Sequence, residues 1–361
     1  MLDLLQPIAE GCALGVPDHE RLPIGVIGAG GIVDGAHLPA YAAAGLQVCA
    51  ITDVDLPRAH DVAARHRIAT VHPDVDALLA DTQVAVVDIA VTPAAQVELA
   101  VRALRAGKHV LCQKPLSLTS EGAERVAAAA AASGRRAAVN QQLRFDEGLR
   151  ALRLMKEQCW FGTPLSFTLN VNIATDWTTW PWMATSQQLD LWYHSVHYVD
   201  YVRALFGEPE LVHCTGTRVP GQQALGETRT VSVMRFAGGA VAVLHVFHLN
   251  RVRDNHAEFR LDGDGGTARG TLGLLYDYPN GRVDTLEVNS SITGTDGWLP
   301  YPVTARWLPD AFIGPMASLL HAAHSDCEPE TSVADNVRTI ALVEALYRSM
   351  DSGDAQRLAT V

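Results

Sequence analysis

The sequence PIGVIGAGGIV, residues 23–33, decides the fold. Its apolar run Ile24–Ile27 leads into Gly28-Ala29-Gly30-Gly31, and a helix-competent stretch, residues 36–44, follows. In a dinucleotide site with this order, the first glycine permits a tight turn, the second lets a pyrophosphate approach the main chain, and the helix N-terminus offers free N–H groups. The segment therefore predicts dinucleotide binding, although Val33 stands at the third glycine position. The expected contacts come from Gly28, Ala29, Gly30, Gly31 and Ile32.

An acidic residue follows the next apolar run, residues 46–52, at the spacing expected of a ribose ligand. Asp53 lies 25 residues after Gly28. A carboxylate there accepts hydrogen bonds from the adenosine ribose and repels a 2′-phosphate. The spacing thus favours NAD over NADP, and the plainer alternative is that Asp53 only caps the following segment.

Composition narrows the class of protein. The chain has 361 residues, of which 48% are hydrophobic and 19% charged, as in a soluble globular protein of about two domains. Its net charge of −12 argues against nucleic acid or an anionic membrane as partner. We find no apolar run long enough to span a bilayer, no basic region typical of a signal peptide and no CxxC motif among the six cysteines. We therefore expect reduced thiols and a cytoplasmic protein.

Strand-like and helix-like segments alternate through residues 23–140, which predicts a doubly wound parallel sheet with its ligand at the carboxyl ends of the strands. The expected domains are an N-terminal tail, residues 1–22, an NAD(P)-binding Rossmann domain, residues 23–143, and a C-terminal domain, residues 144–361. The C-terminal domain is expected to be α/β with a large open, mostly antiparallel sheet. Its uncovered face predicts self-association.

Two local patterns in the C-terminal half carry further predictions. The capping box Thr185-x-x-Gln188 predicts a long helix over residues 187–206. Asn280-Gly281 predicts a β-hairpin between segments 274–278 and 283–288.

We expect catalytic and cofactor-contacting residues at the carboxyl ends of the strands of the first domain. Thr92-Pro93 follows one apolar run, and Gln113-Lys114-Pro115 follows the run 109–112. Because the nicotinamide end of a dinucleotide lies at this edge, Lys114 is a candidate proton-transfer group whose pKa partial burial can lower. The alternative is a solvated surface lysine.

On the predicted long helix, a polar stripe consists of Asp190, His194, His197 and Tyr201. These residues suit a general acid/base pair facing a cleft, because histidine titrates near neutrality and a carboxylate can orient it. A solvated helix face is the alternative. Asp190, His194 and His197 are also possible metal ligands, but no further ligand is indicated and we predict no metal.

Two more features lie near that helix. His245 and His248 point to opposite faces of a strand and make a poor ligand pair. The tryptophans of Trp177-Thr178-Thr179-Trp180-Pro181-Trp182 either stack on a sugar ring or anchor the core.

Four segments, GVIGAGGIVDGAHLPAY, AGKHVLCQKPLSLT, VNQQLRF and HYVDYVRALFGEP, make residues 23 to about 350 resemble the Gfo/Idh/MocA oxidoreductases. The resemblance implies a Rossmann domain followed by an open-sheet α/β domain, NAD(P) as cofactor, and a sugar or polyol substrate. It also implies a homodimer or homotetramer. Lys114 then corresponds to the family lysine that touches nicotinamide and substrate, with Gln113 in place of the usual glutamate.

The same resemblance makes His197 the catalytic histidine, and Tyr193 stands where many members have an aspartate. His197 is then expected to work with Tyr193 or with Asp190. We expect Arg144, Trp182, His194 and His197 to bind substrate, and Thr92, Pro93, Gln113 and Lys114 to contact the cofactor.

We therefore predict an NAD-dependent dehydrogenase or reductase in which Lys114, His197, Tyr193 and Asp190 are catalytic. Two alternatives stay open within the resemblance. One is redox-assisted glycoside cleavage or elimination with retained NAD. The other is a non-catalytic regulator that senses NAD or a sugar.

Overall fold

The computed structural model describes residues 2–291, 293–294 and 297–358. These residues form two compact units. The parallel-sheet unit comprises Leu14–Gln142 and Pro309–Ala341, and the mixed-sheet unit comprises residues 2–13, Leu143–Leu308 and residues 342–358. Residues 309–341 join the first unit because Met316, Leu319 and Leu320 are part of its hydrophobic core.

The N-terminal segment is helical where the sequence suggested a tail. Helix α1 (Leu2–Cys12) lies in the mixed-sheet unit. The Arg150 guanidinium donates to the carbonyl of Gly11 at 2.9 Å, and the Cys12 thiol lies 3.9 Å from the Glu147 carbonyl. These contacts tie the helix to later residues of the same unit.

The parallel-sheet unit is built on six parallel strands in the order β3-β2-β1-β4-β5-β6, which is the doubly wound Rossmann order. Their central strands are apolar and buried on both faces, as parallel strands require. The strands are β1 (Ile24–Ile27), β2 (Val48–Thr52), β3 (Thr70–Val71), β4 (Val86–Ile89), β5 (His109–Cys112) and β6 (Ala137–Val139).

Helices connect these strands and complete the layers of the unit. They are α2 (Leu38–Ala43), α3 (Leu56–His66), α4 (Val75–Ala80), α5 (Pro93–Arg105) and α6 (Ser120–Ser133). A π-helical turn, Val33–His37, precedes α2. Local signals set several helix ends, since the Asp55, Asp74 and Thr119 side chains each accept a backbone N–H of the first turn. The predicted α/β fold with a doubly wound sheet is confirmed.

In the mixed-sheet unit, nine strands of the described part of the chain pair in the order β14-β13-β12-β11-β7-β10-β9-β8-β15. The β7–β10 pair is parallel and the other pairs are antiparallel, so the predicted mostly antiparallel sheet is also confirmed. The strands are β7 (Pro164–Asn172), β8 (Pro209–Thr217), β9 (Arg229–Phe236), β10 (Val241–Phe247), β11 (His256–Gly263), β12 (Gly266–Thr271), β13 (Thr285–Ser290), β14 (Leu299–Tyr301) and β15 (Gln356–Arg357).

The helices of this half are shorter than predicted before strand β8. They are α7 (Glu147–Glu157), α8 (Pro181–Ala184), α9 (Asp190–Tyr193) and α10 (Val196–Phe206). The single helix over 187–206 was wrong, because Leu189 and His194 have non-helical backbone angles. The capping box was wrong too, since the Thr185 hydroxyl donates to the Trp182 carbonyl.

The last two helices described are α11 (Ile313–Ser325) and α12 (Val333–Ser352). The predicted hairpin was wrong in one strand. Gly273–Tyr276 is a 3-10 turn, and β13 pairs with β12 and β14 instead. Gly281 still provides the turn, with φ of +57°. All six cysteines lie in the described part and are free thiols. Of the helices described, none combines the length and apolar character needed to cross a membrane.

Candidate functional site

The glycine turn after β1 has the backbone geometry of a phosphate-binding turn. Gly28 has φ of +110°, and a Cβ there would lie 2.4 Å from the carbonyl oxygen of Ala90, so only glycine fits. A Cβ on Gly30 or Gly31 would meet nothing within 4 Å, which leaves their main chain open to a ligand. Ile32 begins the turn of helix that follows. The segment therefore fits a pyrophosphate beside it.

Asp53 contacts this turn directly. Its Oδ2 accepts the Ala29 N–H at 2.6 Å, and its Oδ1 accepts the Asp55 N–H at 2.8 Å. Arg58 lies 3.2 Å from Asp53 and 3.3 Å from Asp55. Because a carboxylate has about four lone-pair positions, Asp53 can hold the turn and still accept a ribose hydroxyl. The structure thus places Asp53 beside the glycine turn.

A series of hydrogen bonds links the buried side chains of Asp88, His37 and Gln113 to the backbone of Lys114. His37 is fully buried, and its Nδ1 lies 2.7 Å from Asp88 Oδ2. Its Nε2 lies 3.1 Å from the amide nitrogen of Gln113 and 3.2 Å from that of Asn140. Since both amides donate, Nε2 accepts and Nδ1 donates to Asp88. The side-chain amide oxygen of Gln113, Oε1, then accepts the backbone N–H of Lys114 at 2.7 Å.

Helix α5 fixes the other side of the same segment. The buried Gln96 amide donates to the carbonyls of Gln113 and Pro115, at 2.6 and 2.9 Å. Thr92 and Pro93 stand at the first turn of this helix, after β4. Lys114 itself is half-buried, and burial lowers its pKa to about 8. Hydrogen bonds therefore hold the backbone on both sides of Lys114, and its pKa lies close to physiological pH.

In the mixed-sheet unit, a carboxylate lies between two imidazoles. Asp190 Oδ1 is 2.8 Å from His248 Nε2 and 3.6 Å from His194 Nδ1. The two rings meet edge to face with centroids 4.5 Å apart. Burial raises the pKa of Asp190, but hydrogen bonds and charge from His194 and His248 outweigh it and hold that pKa well below its ordinary value. Asp190 and His194, predicted together, are thus joined by His248, whose spacing from His245 had argued against a ligand role.

The buried carboxylate of Glu227 binds the backbone of Leu189, the residue that precedes Asp190. This carboxylate accepts the Leu189 N–H at 3.1 Å and the Tyr347 hydroxyl at 2.7 Å. Burial raises its pKa, although these hydrogen bonds oppose the shift. Glu227 thus replaces the predicted capping box, at a distance of 38 residues along the chain.

The other two residues of the predicted stripe, His197 and Tyr201, contact different partners. His197 is buried, and its ring packs edge to face on Trp307 at 5.5 Å. Tyr201 was wrongly included, because its hydroxyl donates to the Leu149 carbonyl at 2.8 Å. Tyr193 is buried and packs edge to face with the half-exposed Trp182 at 5.4 Å.

Arg144 forms a buried bidentate ion pair with Asp200, at 2.6 and 2.7 Å. Arg203 lies 3.8 Å from the same carboxylate and also bonds Glu208. The guanidinium that was expected to bind substrate is therefore engaged with Asp200 in this structure.

Sequence reasoning missed His37, Gln96, Glu227 and His248. No local spacing could identify the last three, because their partners lie far away in the sequence. His37 is no different, since its partner Asp88 lies 51 residues away in the sequence.

Two family models match this chain. Residues 22–141 match a family model described as "Oxidoreductase family, NAD-binding Rossmann fold". Residues 149–269 match a second model, described as "GFO/IDH/MocA C-terminal domain". The chain belongs to the GFO/IDH/MocA oxidoreductase family. As a GFO/IDH/MocA protein it is a hydride-transfer oxidoreductase whose Rossmann domain binds NAD, and the open glycine turn and Asp53 fit that cofactor.

Among GFO/IDH/MocA relatives, D-apiose dehydrogenase of Paraburkholderia graminis is 27% identical over 326 residues, which are 88% of this chain and 84% of that enzyme. Inositol 2-dehydrogenase of Pseudomonas fluorescens is 33% identical over 52% of this chain and 55% of that enzyme. An oxidoreductase from Agrobacterium radiobacter, crystallised with NAD+, L-tartaric acid and magnesium, superposes with a TM-score of 0.82 at 22% identity. It covers 93% of this chain and 98% of its own, and it confirms the fold.

Proposed function

We propose that this protein is an NAD-dependent dehydrogenase that oxidises a carbinol carbon of a sugar, a polyol or a close derivative. The similarity to D-apiose dehydrogenase supports the substrate class, because it extends over 84% of that enzyme. The shorter match to inositol 2-dehydrogenase points to the same class of polyhydroxylated compound.

One observation carries the assignment of the proton-transfer group. Lys114 follows β5 in the NAD-binding unit, and its pKa of about 8 leaves a usable fraction of uncharged amine near neutrality. NAD+, when bound, accepts the hydride from the carbinol carbon. The uncharged Lys114 amine takes the hydroxyl proton, so that the C–H electron pair leaves as hydride and a carbonyl forms.

His197 is the second proton-transfer group in this proposal, because it begins the segment HYVDYVRALFGEP, in which the resemblance makes it the catalytic histidine. Tyr193 and Asp190 are its proposed partners. The hydrogen bonds of Asp190 go to Ser195, Thr230 and His248, which favours Tyr193 of the two.

Steady-state oxidation by the full chain tests this function. D-apiose, inositol and a panel of aldoses and polyols are offered with NAD+, and NADH is followed by absorbance. Lys114→Ala and His197→Ala are each expected to lower kcat by roughly 10²–10⁴-fold with little change in NADH affinity. Lys156→Ala on α7 is the control and keeps wild-type turnover.

Wild-type turnover in both Lys114→Ala and His197→Ala would overturn the residue assignment. Product formed without net NADH would instead support redox-assisted cleavage or elimination.

We also propose a homodimer or homotetramer that forms through the open face of the nine-stranded sheet. Val231, Val233, Val241 and Val243 share that face on the neighbouring strands β9 and β10, and Val233 is 36% exposed. An apolar group of this kind is typical of a surface that pairs with another chain. A cytoplasmic location fits the six free thiols.

A further inference from the structure

Asp190, His194 and His248 present three metal-ligating atoms to one point. One carboxylate oxygen and one nitrogen from each ring all lie within 4.8 Å of one another. Asp190 and His248 are fully buried, and the His194 side chain is 21% exposed, so the group is open on the His194 side. Two imidazoles and one carboxylate are a ligand set that zinc and other first-row transition ions use in proteins.

The distances fit one small ion. With metal–ligand bonds of about 2.0–2.1 Å, neighbouring ligand atoms of a tetrahedral site lie about 3.3 Å apart. Asp190 Oδ1 is 2.8 Å from His248 Nε2 and 3.6 Å from His194 Nδ1, values on either side of that separation. The three ligand atoms all lie within 4.8 Å of one another, so side-chain movements toward a common point would bring them to the separation of a metal site.

The surrounding residues orient these ligands as the supporting groups of a metal site do. The second Asp190 oxygen accepts hydrogen bonds from the Ser195 and Thr230 hydroxyls, which turns the first oxygen toward the rings. His248 Nδ1 lies 2.8 Å from the Thr175 hydroxyl, so its Nε2 can supply a lone pair. Metal-binding histidines nearly always have such a partner on the other ring nitrogen.

The broken helix explains why these ligands meet. His194 ends α9 with a non-helical backbone, and His248 directly follows β10. Beyond the break, the His197 ring packs on Trp307. The ligand set is therefore Asp190, His194 and His248, whereas helical periodicity suggested His197 as the third ligand.

We propose that Asp190, His194 and His248 bind one divalent first-row transition metal ion, with Zn²⁺ as the best match. Three protein ligands leave at least one coordination position for water or for an oxygen of a small molecule. Mg²⁺ fits less well, because it prefers oxygen ligands in octahedral geometry.

Metal binding by the full chain tests the proposal without using turnover. After dialysis against a chelator, the protein is titrated with Co²⁺ and with Zn²⁺, and bound metal is measured by equilibrium dialysis. The expected result is one equivalent per chain, with visible d–d absorption bands of the Co²⁺ protein typical of low coordination number. Mg²⁺ at equal concentration is expected not to displace Zn²⁺.

Variants locate the site. His194→Ala and His248→Ala are expected to lose stoichiometric binding, and Thr175→Val is expected to weaken it by roughly 10–100-fold. His245→Ala is the matched control, because His245 lies on β10 three residues before His248 and pairs with Asn170 on the exposed face. Circular dichroism verifies that each variant is folded.

Substoichiometric binding to the wild-type chain, or a wild-type Co²⁺ spectrum without d–d bands, overturns the proposal whatever the variants do. Stoichiometric binding that survives both histidine substitutions also overturns it. In either case the three residues form a hydrogen-bonded cluster only.

Discussion

At the scale of single residues, Asp53 and Arg58 set the charge beside the adenosine ribose. Arg58 is held by Asp53 and Asp55, so its charge is offset where a 2′-phosphate would lie. Asp53→Ser should lower kcat/KM for NAD+ by roughly 10–100-fold, since a charge-assisted hydrogen bond is worth about 1.5–3 kcal/mol. The same change should raise kcat/KM for NADP+, because it releases Arg58.

The ratio of the two kcat/KM values measures this prediction. Asp55→Ser is the comparison variant: it removes one partner of Arg58 but keeps the Asp53 carboxylate on the glycine turn, so the preference for NAD+ should be retained. Adding Arg58→Ala to Asp53→Ser should remove the gain for NADP+. An unchanged cofactor ratio in Asp53→Ser would show that another group selects the cofactor.

The proton-transfer role proposed for Lys114 predicts a pH profile. Its pKa is lowered to about 8 by burial, so the uncharged amine accumulates as pH rises through 8. The kcat/KM of substrate oxidation should rise over the same interval, and that of the reverse reduction should fall. Lys114→Arg should abolish this ionisation and lower kcat by roughly 10²–10⁴-fold, because arginine stays protonated.

Profiles measured from pH 6 to 10 with saturating cofactor check this expectation. Lys156→Arg, on the surface of α7, should leave the ionisation in place. A wild-type profile retained in Lys114→Arg would assign the ionisation to a different group.

The predictability of single residues depended on whether their partners are close in sequence. Gly28 and Asp53 could be identified because one backbone turn and one strand end define them. His248 could not, since its partner Asp190 is 58 residues away. Glu227 likewise bonds across 120 residues to Tyr347.

At the scale of elements, the short helix α9 depends on Glu227. Glu227→Ala would leave the buried Leu189 N–H and Tyr347 hydroxyl without their carboxylate partner, which should cost about 1–3 kcal/mol of unfolding free energy. Glu227→Gln should recover part of that loss, because its side-chain carbonyl can still accept.

Urea denaturation of the full chain measures these free energies. Glu258→Ala, an exposed position on β11, is the control and should change stability by less than about 0.5 kcal/mol. Equal stability of Glu227→Ala and wild type would mean that α9 is held by other contacts.

Elements were predicted best where their own residues determine them. Strands Ile24–Ile27 and His109–Cys112 have the bounds of the apolar runs that predicted them, because those runs define the strands. The helix over 187–206 failed because helical periodicity continues across the break at His194. Strand β12 (Gly266–Thr271) was missed, since its glycines and polar residues carry little strand signal.

At the scale of the whole molecule, the open sheet predicts association. Val233→Asp would place a charge on the proposed interface, and in a symmetric dimer it would bring two carboxylates together. The cost should be about 3 kcal/mol, or roughly a hundredfold in the dimer Kd.

Light scattering coupled to size exclusion, over a range of protein concentrations, checks this effect. Val252→Asp is the control, because Val252 is 78% exposed and follows β10 in a loop. A wild-type chain that stays monomeric at high concentration would contradict the proposed assembly.

The parallel-sheet unit takes part of its core from residues 309–341. Helix α11 contributes Met316, Leu319 and Leu320 to that core, although it begins only at Ile313 and strand β6 is complete at Val139. During synthesis on the ribosome, the part of this core that Met316, Leu319 and Leu320 complete therefore stays uncovered until α11 has been made. A fragment that stops near residue 142 should aggregate when expressed alone, whereas chaperone dependence should be relieved once the nascent chain passes residue 341.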